Sequence, residues 1–212
     1  MDNYSYRRLI TEIIAEYPNH EICFTDGSKS QSKTAYAFSI NGSITAKRLR
    51  DSASVFTAEL SAIHSCLSQL TQRPPRHNYI LLTDSLSSLL TIQDIHSTNP
   101  ITQRIHLILE TLASIKSIIT FIWIPGHIGL PGHDEVDRAA KEATRLPKIT
   151  DPSSSPSYDL KNYYRSLILN AWHHLWTLLP ISKLRAIKTT PFLGHPQTEI
   201  PVMKKSFSLD SE

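Results

Sequence analysis

Asp26 and Asp84 each follow a short apolar run and a threonine, in "ICFTDGS" (residues 22–28) and "YILLTDS" (residues 79–85). One acid at the mouth of a core strand is ordinary, and Asp26-Gly27 is a common turn dipeptide. Two strands that both end in Thr-Asp carry a further implication. In a sheet with parallel central strands, ligands collect beyond the carboxyl ends of those strands. If the two strands are neighbours, the carboxylates meet there. Like charges that close are costly unless a proton or a cation lies between them. Mg²⁺ suits such a pair, because it accepts carboxylate oxygens, keeps several waters and takes phosphate oxygens to complete its shell.

More acids should converge on such a site. Glu59, in "TAEL", lies on a helix whose Phe56, Leu60 and Ile63 face inward, so it borders the buried face. Standing alone it reads as a solvated helix glutamate. Asp137 lies in the last helix of the main domain, where an acid near the N-terminus is also favourable in its own right. The stretch "WIPGHIGLPGHDEVD" (residues 123–137) is more specific than either acid. A strand delivers His127 onto a Gly-rich loop, "GHIGLPGHDE", and a helix then returns an aspartate. A mobile histidine beside a metal site can shuttle protons.

The elements that must hold these groups are legible in the apolar spacing. Leu9, Ile10, Ile13 and Ile14 predict a short lead-in helix that ends before Pro18. A strand runs to the first Thr-Asp. Residues 34–42 alternate around Tyr36 and Phe38 and end in an Asn41-Gly42 hairpin turn, with "SITAKRLR" as the return strand. A helix spans Val55 to Leu70 and stops before Pro74 and Pro75. The second Thr-Asp strand, a helix from Ser85 to Ile95, a break at Asn99-Pro100 and a helix from Ile101 to Lys116 follow. Residues 117–125 read as a buried strand, and the final helix of the domain runs through Arg145. The order βββαβααβα is an antiparallel meander followed by crossovers that add parallel strands.

Composition narrows the function classes without choosing among them. With 40% hydrophobic residues the 212-residue chain can bury a proper core, and a formal charge of +3 permits contact with nucleic acid without demanding it. Two cysteines, Cys23 and Cys66, exclude a disulfide framework and a cysteine zinc knuckle, and they read as reduced core residues of an intracellular protein. Ten histidines show no zinc-protease or finger spacing. No apolar stretch approaches the roughly 20 residues needed to span a bilayer, and the N-terminus does not read as a signal peptide. The expected organisation is a lead-in helix and linker (1–20), a main domain (21–146), a Pro/Ser-rich linker (147–158), and a C-terminal helix with a basic tail (159–212). Trp172 and Trp176 share one face of that helix. The simpler expectation is an apolar stripe packing on its own domain; the alternative is a docking or nucleic-acid platform with Lys183, Arg185 and Lys188 meeting phosphates.

Taken together, Asp26 in "TDGS", Glu59 in "TAEL", Asp84 in "TDS" and "GHIGLPGHDEVDRAAKEA" resemble type 1 ribonuclease H, in order over about residues 20–145. The stretch "WIPGHIGLPGHDEVDRAAKEA" is similar to the ribonuclease H domain of non-LTR retrotransposon polyproteins. The resemblance implies an α/β ribonuclease H-like fold, a five-stranded mixed sheet flanked by helices. It also implies hydrolysis of the RNA strand of RNA–DNA hybrids, giving 5′-phosphate and 3′-hydroxyl ends, with a reverse transcriptase as a partner. Asp26, Glu59, Asp84 and Asp137 would be the metal-binding acids for two Mg²⁺ ions about 3.5–4 Å apart, with Mn²⁺ as a substitute. His127 would handle protons, and Gly27, Ser28 and Ser85 would meet the substrate. Two departures stand out: His133-Asp134 replaces the usual Asn-Glu, and only Arg104 and Lys116 represent the basic protrusion that some members carry between Asp84 and His127. Integrase-like strand transfer and a non-catalytic hybrid-binding module are the alternatives.

Overall fold

The computed structural model describes residues 3–153 and 155–178. The elements are α1 (Asn3–Ala15), β1 (His20–Ser30), β2 (Lys33–Ile40), β3 (Ser43–Arg48), α2 (Val55–Leu70), β4 (Asn78–Thr83), α3 (Leu86–Gln93), α4 (Pro100–Ser114), β5 (Ile118–Trp123), α5 (Pro131–Ala143) and α6 (Ser157–Leu178). The five strands form one sheet in the order β3-β2-β1-β4-β5. The first three are antiparallel, and β4 and β5 join β1 in parallel. Asn41 (φ 49°) and Gly42 (φ 78°) make the β2–β3 hairpin turn, as the Asn-Gly dipeptide predicts.

Central strands here are covered on both sides. Tyr79 and Leu81 of β4 join a core with Leu60, Ile63 and Leu67 of α2 and Ile105 and Leu112 of α4. Ile80 and Leu82 point the other way, into a core with Ile10, Ile124, Ile128 and Leu130. That accounts for the continuous apolar run of β4, which a half-solvated strand would not tolerate. Each fully buried Leu or Ile contributes about 1.5–3 kcal/mol relative to exposure. Cys23 and Cys66 are free thiols inside the first core.

Three elements differ from the sequence expectation: β5, read as buried, is an edge strand with Ile118 and Trp123 exposed, and the others are β1 and α5. β1 does not stop at Asp26: it runs on to Ser30, because its second half pairs with β2 alone, Asp26 opposite Ala37. What ends near Asp26 is the parallel pairing with β4, whose last register is Thr25 against Thr83. The Gly-rich loop is also shorter than expected. α5 already begins at Pro131, whose fixed φ suits a first helical position, so Gly132, His133, Asp134 and Glu135 are helical.

The chain divides into two compact units, residues 1–163 and 164–212. Within the first, the segment after α5 lies along β3 and α2. Thr150 N and Asp151 N donate to Arg48 O, Arg48 N donates to Thr150 Oγ1 at 2.8 Å, and Ser54 N donates to Asp159 at 2.8 Å. In the second unit, Ile168, Trp172, Leu175 and Leu178 of α6 are exposed. The sequence reading of Lys183, Arg185 and Lys188 falls outside the described residues.

Candidate active site

Because Thr25 and Thr83 are partners across β1 and β4, the residues that follow them emerge side by side. Asp26 is buried and Asp84 partly exposed. One oxygen of each and one nitrogen of His133 lie within 4.8 Å of one another. His133 Nε2 stands 3.9 Å from Asp84 Oδ1. The two echoed strand ends do bring their acids together.

Several local devices hold this arrangement. Trp123 Nε1 donates to the Asp84 carbonyl at 3.0 Å, tying the end of β5 to the end of β4. A Cβ on Gly126 would sit 2.9 Å from Asp84 Oδ2, so glycine lets the β5–α5 loop pass beside the carboxylate. On the opposite face a Cβ on Gly27 would come within 2.5 Å of the Glu59 amide, so glycine admits α2 against β1. Ser54 caps α2 by accepting from Thr57 N, which fixes the turn that carries Glu59. The Gly27 backbone hydrogen-bonds the Glu59 side chain. Gly132 abuts the Phe24 ring, where no Cβ fits, and the His133 ring meets Phe24 edge-on at 6.5 Å between centroids.

The electrostatics are those of acids crowded without a cation. Burial, then the charges of Asp84 and Asp137, raise the Asp26 pKa to about 8, with Lys141 pulling the other way. Burial, then Asp26 and Asp84, push Glu59 well above the carboxylate range. Asp26 Oδ2, Glu59 Oε2 and His133 Nε2 are buried with no hydrogen-bond partner. Burial lowers the His133 pKa despite the pull of Asp84, Asp137 and Asp134, so the ring is neutral near pH 7. Unpartnered carboxylate oxygens beside a neutral imidazole are a donor set that a divalent cation fits.

The remaining sequence-predicted residues surround this cluster. Glu59 and Asp137 stand in its field but outside the tight trio. The Asp137 carboxylate accepts from Lys141 Nζ at 2.7 Å. His127 is exposed, at φ 57°, between Gly126 and Gly129, with its carbonyl facing Asn3 of α1. Ser28 is half-buried on β1, and the Ser85 hydroxyl pairs with Ser88 at 2.8 Å. Sequence reasoning noted His133 only as a departure from the usual Asn-Glu and did not count it among the site residues. Its signal was spacing: with Val136 and Ala140 it falls at i, i+3 and i+7, the buried stripe of α5.

The RNase H family model matches residues 18–145, more than half of the chain, and the chain belongs to the RNase H family. No curated protein matches it. Members of this family act on RNA–DNA hybrids and generally use divalent metal. Among the described residues, no helix is long and apolar enough to cross a membrane.

Proposed function

We propose that this protein is a metal-dependent endonuclease that hydrolyses the RNA strand of RNA–DNA hybrids and leaves 5′-phosphate and 3′-hydroxyl ends. The observation that carries this reading is the meeting of Asp26 and Asp84 on a ribonuclease H scaffold, where buried oxygens of Asp26 and Glu59 have no hydrogen-bond partner. Asp26, Glu59, Asp84 and Asp137 would hold Mg²⁺, with Mn²⁺ as a substitute. Bound there, the ions supply an activated water and charge stabilisation at the scissile phosphate. Glu59 and Asp137 approach the gap from α2 and α5, on opposite faces of the sheet. His127, exposed on its short glycine-flanked loop, gives a proton to the leaving 3′ oxygen. Gly27, Ser28 and Ser85 border the substrate, and selectivity for the hybrid comes from 2′-hydroxyl contacts instead of base reading.

The nuclease domain of this reading is residues 21–146, preceded by a lead-in segment (1–20) and followed by a linker (147–158) and a C-terminal helix and tail (159–212). The wording of the Trp123–Ala143 stretch supports a retrotransposon origin with a reverse transcriptase as a partner. The test is one gel: end-labelled RNA–DNA hybrid, RNA duplex and DNA duplex, each with protein and Mg²⁺. Loss of the RNA strand in the hybrid alone is the expected result. Joining or cutting of the DNA duplex would instead indicate strand-transfer chemistry.

A further inference from the structure

His133 is a buried polar side chain, 3% exposed, that has no evident structural task for its outer nitrogen. The ring packs against Phe24, which explains the carbon edge. Nε2 has no hydrogen-bond partner and is shut off from solvent. It is turned into the same gap as Asp26 and Asp84, 3.9 Å from Asp84 Oδ1. A buried unpaired ring nitrogen costs about 1–3 kcal/mol, and a packed apolar side chain would avoid that cost. The feature makes sense if a ligand completes it.

We propose that His133 Nε2 is a direct ligand of the cation held by Asp26 and Asp84, so that the centre is a mixed imidazole–carboxylate site that prefers transition-metal ions such as Mn²⁺ or Co²⁺ over Mg²⁺. This rests on reading the same cluster as the nuclease centre. The chemistry follows from the donor. Mg²⁺ is a hard ion that seeks oxygen and holds its water, whereas imidazole nitrogen suits the first-row divalent metals. Donor atoms on one cation, each about 2.0–2.2 Å from it, lie up to about 4.4 Å apart. The His133–Asp84 separation of 3.9 Å is already inside that limit, and the widest span in the trio, within 4.8 Å, needs only a small contraction. Seating on the first turn of α5, against Phe24 and beside Gly132, fixes the ring direction before any ion arrives.

The experiment uses the full chain without substrate. Protein grown with ¹⁵N-labelled imidazoles is loaded with Mn²⁺ and read by pulsed EPR for nitrogen coupling. Mn²⁺, Co²⁺ and Mg²⁺ affinities are then measured calorimetrically for wild type, His133→Asn, His127→Ala and Asp26→Asn. The expected result is nitrogen coupling in wild type and in His127→Ala, absent from His133→Asn. His133→Asn should weaken Mn²⁺ and Co²⁺ by at least about 10-fold, since losing even a residue that only orients a ligand costs about 10–100-fold, and leave Mg²⁺ unchanged, while Asp26→Asn weakens all three. Wild-type protein without nitrogen coupling, or coupling that vanishes in His127→Ala, overturns the proposal. So does an equal loss of all three metals in His133→Asn. If His133→Asn does not fold, the wild-type and His127→Ala spectra still decide. Hybrid cleavage in Mg²⁺ without nitrogen coupling defeats this inference and leaves the nuclease reading standing. Nitrogen coupling with no hybrid cleavage in any metal does the reverse.

Discussion

Among the described residues, buried or half-buried carboxylates gather in two places and are held differently. Along the segment that follows α5, they are tied by hydrogen bonds to other elements of the fold. Asp159, 2% exposed, accepts from Ser54 N at the head of α2, although its second oxygen stays unpaired. Asp151 accepts from Tyr36 Oη at 2.6 Å and from Ser153 N at 3.1 Å. Nearby Arg48, 6% exposed, donates to Asp51 and to the Leu146 carbonyl. At the β1–β4 junction Asp26 and Glu59 are equally deep, crowd one another and leave oxygens bare. Bonded acids hold chain to chain. Bare acids raise the energy of the empty fold, and such a cost is found where a ligand is expected.

The sharpest way to break that contrast is to neutralise one acid in each place. Asp26→Asn and Asp84→Asn should each abolish metal-dependent cleavage of hybrid while the fold survives, as judged by circular dichroism. Asp159→Asn should keep the activity and lose about 1 kcal/mol of stability, the usual scale for a helix-capping bond. Near-wild-type cleavage by both site variants would sink the assignment of the centre. His127→Ala should follow with a slowing of roughly 10²–10⁴-fold in single-turnover cleavage and unchanged metal binding. An unaltered rate would make that exposed imidazole a bystander.

The contrast also explains what could be read from the sequence. The strand and helix cores announce themselves through apolar spacing, and the Thr-Asp echo places both acids at one junction because the parallel pairing of β1 with β4 ends at Thr25 against Thr83. The second half of β1 was illegible: "DGSKS" carries no apolar alternation, and only pairing to β2 makes it a strand. The early start of α5 was masked by Gly132, which reads as loop and is in fact the residue that lets the helix touch Phe24. His133 was hidden for the same reason. The Pro/Ser-rich stretch after α5 has a linker's composition, yet its backbone and short polar side chains bond to Arg48, Ser52 and Ser54. Contacts made by backbone leave no trace in residue type.

Removing that stretch tests it as a unit. A chain ending at Tyr163 should match the full chain's unfolding midpoint in the nuclease unit, whereas one ending at Leu146 should be weaker by on the order of 4 kcal/mol, from several bonds at about 0.5–1.5 kcal/mol each. For a unit of this size that lowers the melting temperature by about 2–4 °C per kcal/mol. The shorter chain should still cut hybrid where it remains folded. Equal midpoints for the two truncations would return the stretch to the status of a linker.

The most discriminating effects are in pH, because the two groups of acids push stability in opposite directions. Asp26 binds its proton more tightly in the folded chain, with a pKa raised from 3.8 to about 8. Folding therefore takes up a proton in that window, and metal-free stability should fall as pH rises from about 4 to about 8. Asp151 runs the other way. Burial alone would raise it, but hydrogen bonds from Ser153 and Tyr36, with Lys47 nearby, bring it below 3.8. Its contribution is present above that pH and is lost as pH falls through the lowered folded value. Tyr36→Phe removes one of those bonds and leaves Ser65 without the phenol it shares. It should cost about 1.5–3 kcal/mol at pH 7, the range for a bond to a charged group, and less below pH 4. Asp26→Asn should stabilise metal-free protein at pH 8 and do little at pH 4. Urea unfolding of the three proteins at pH 8, at pH 4 and in stronger acid, below the lowered Asp151 value, in chelator, measures all of this. A Tyr36→Phe cost that ignores pH, or an Asp26→Asn gain that is larger in acid, would mean that the bonded and bare carboxylates do not differ in the way their surroundings imply.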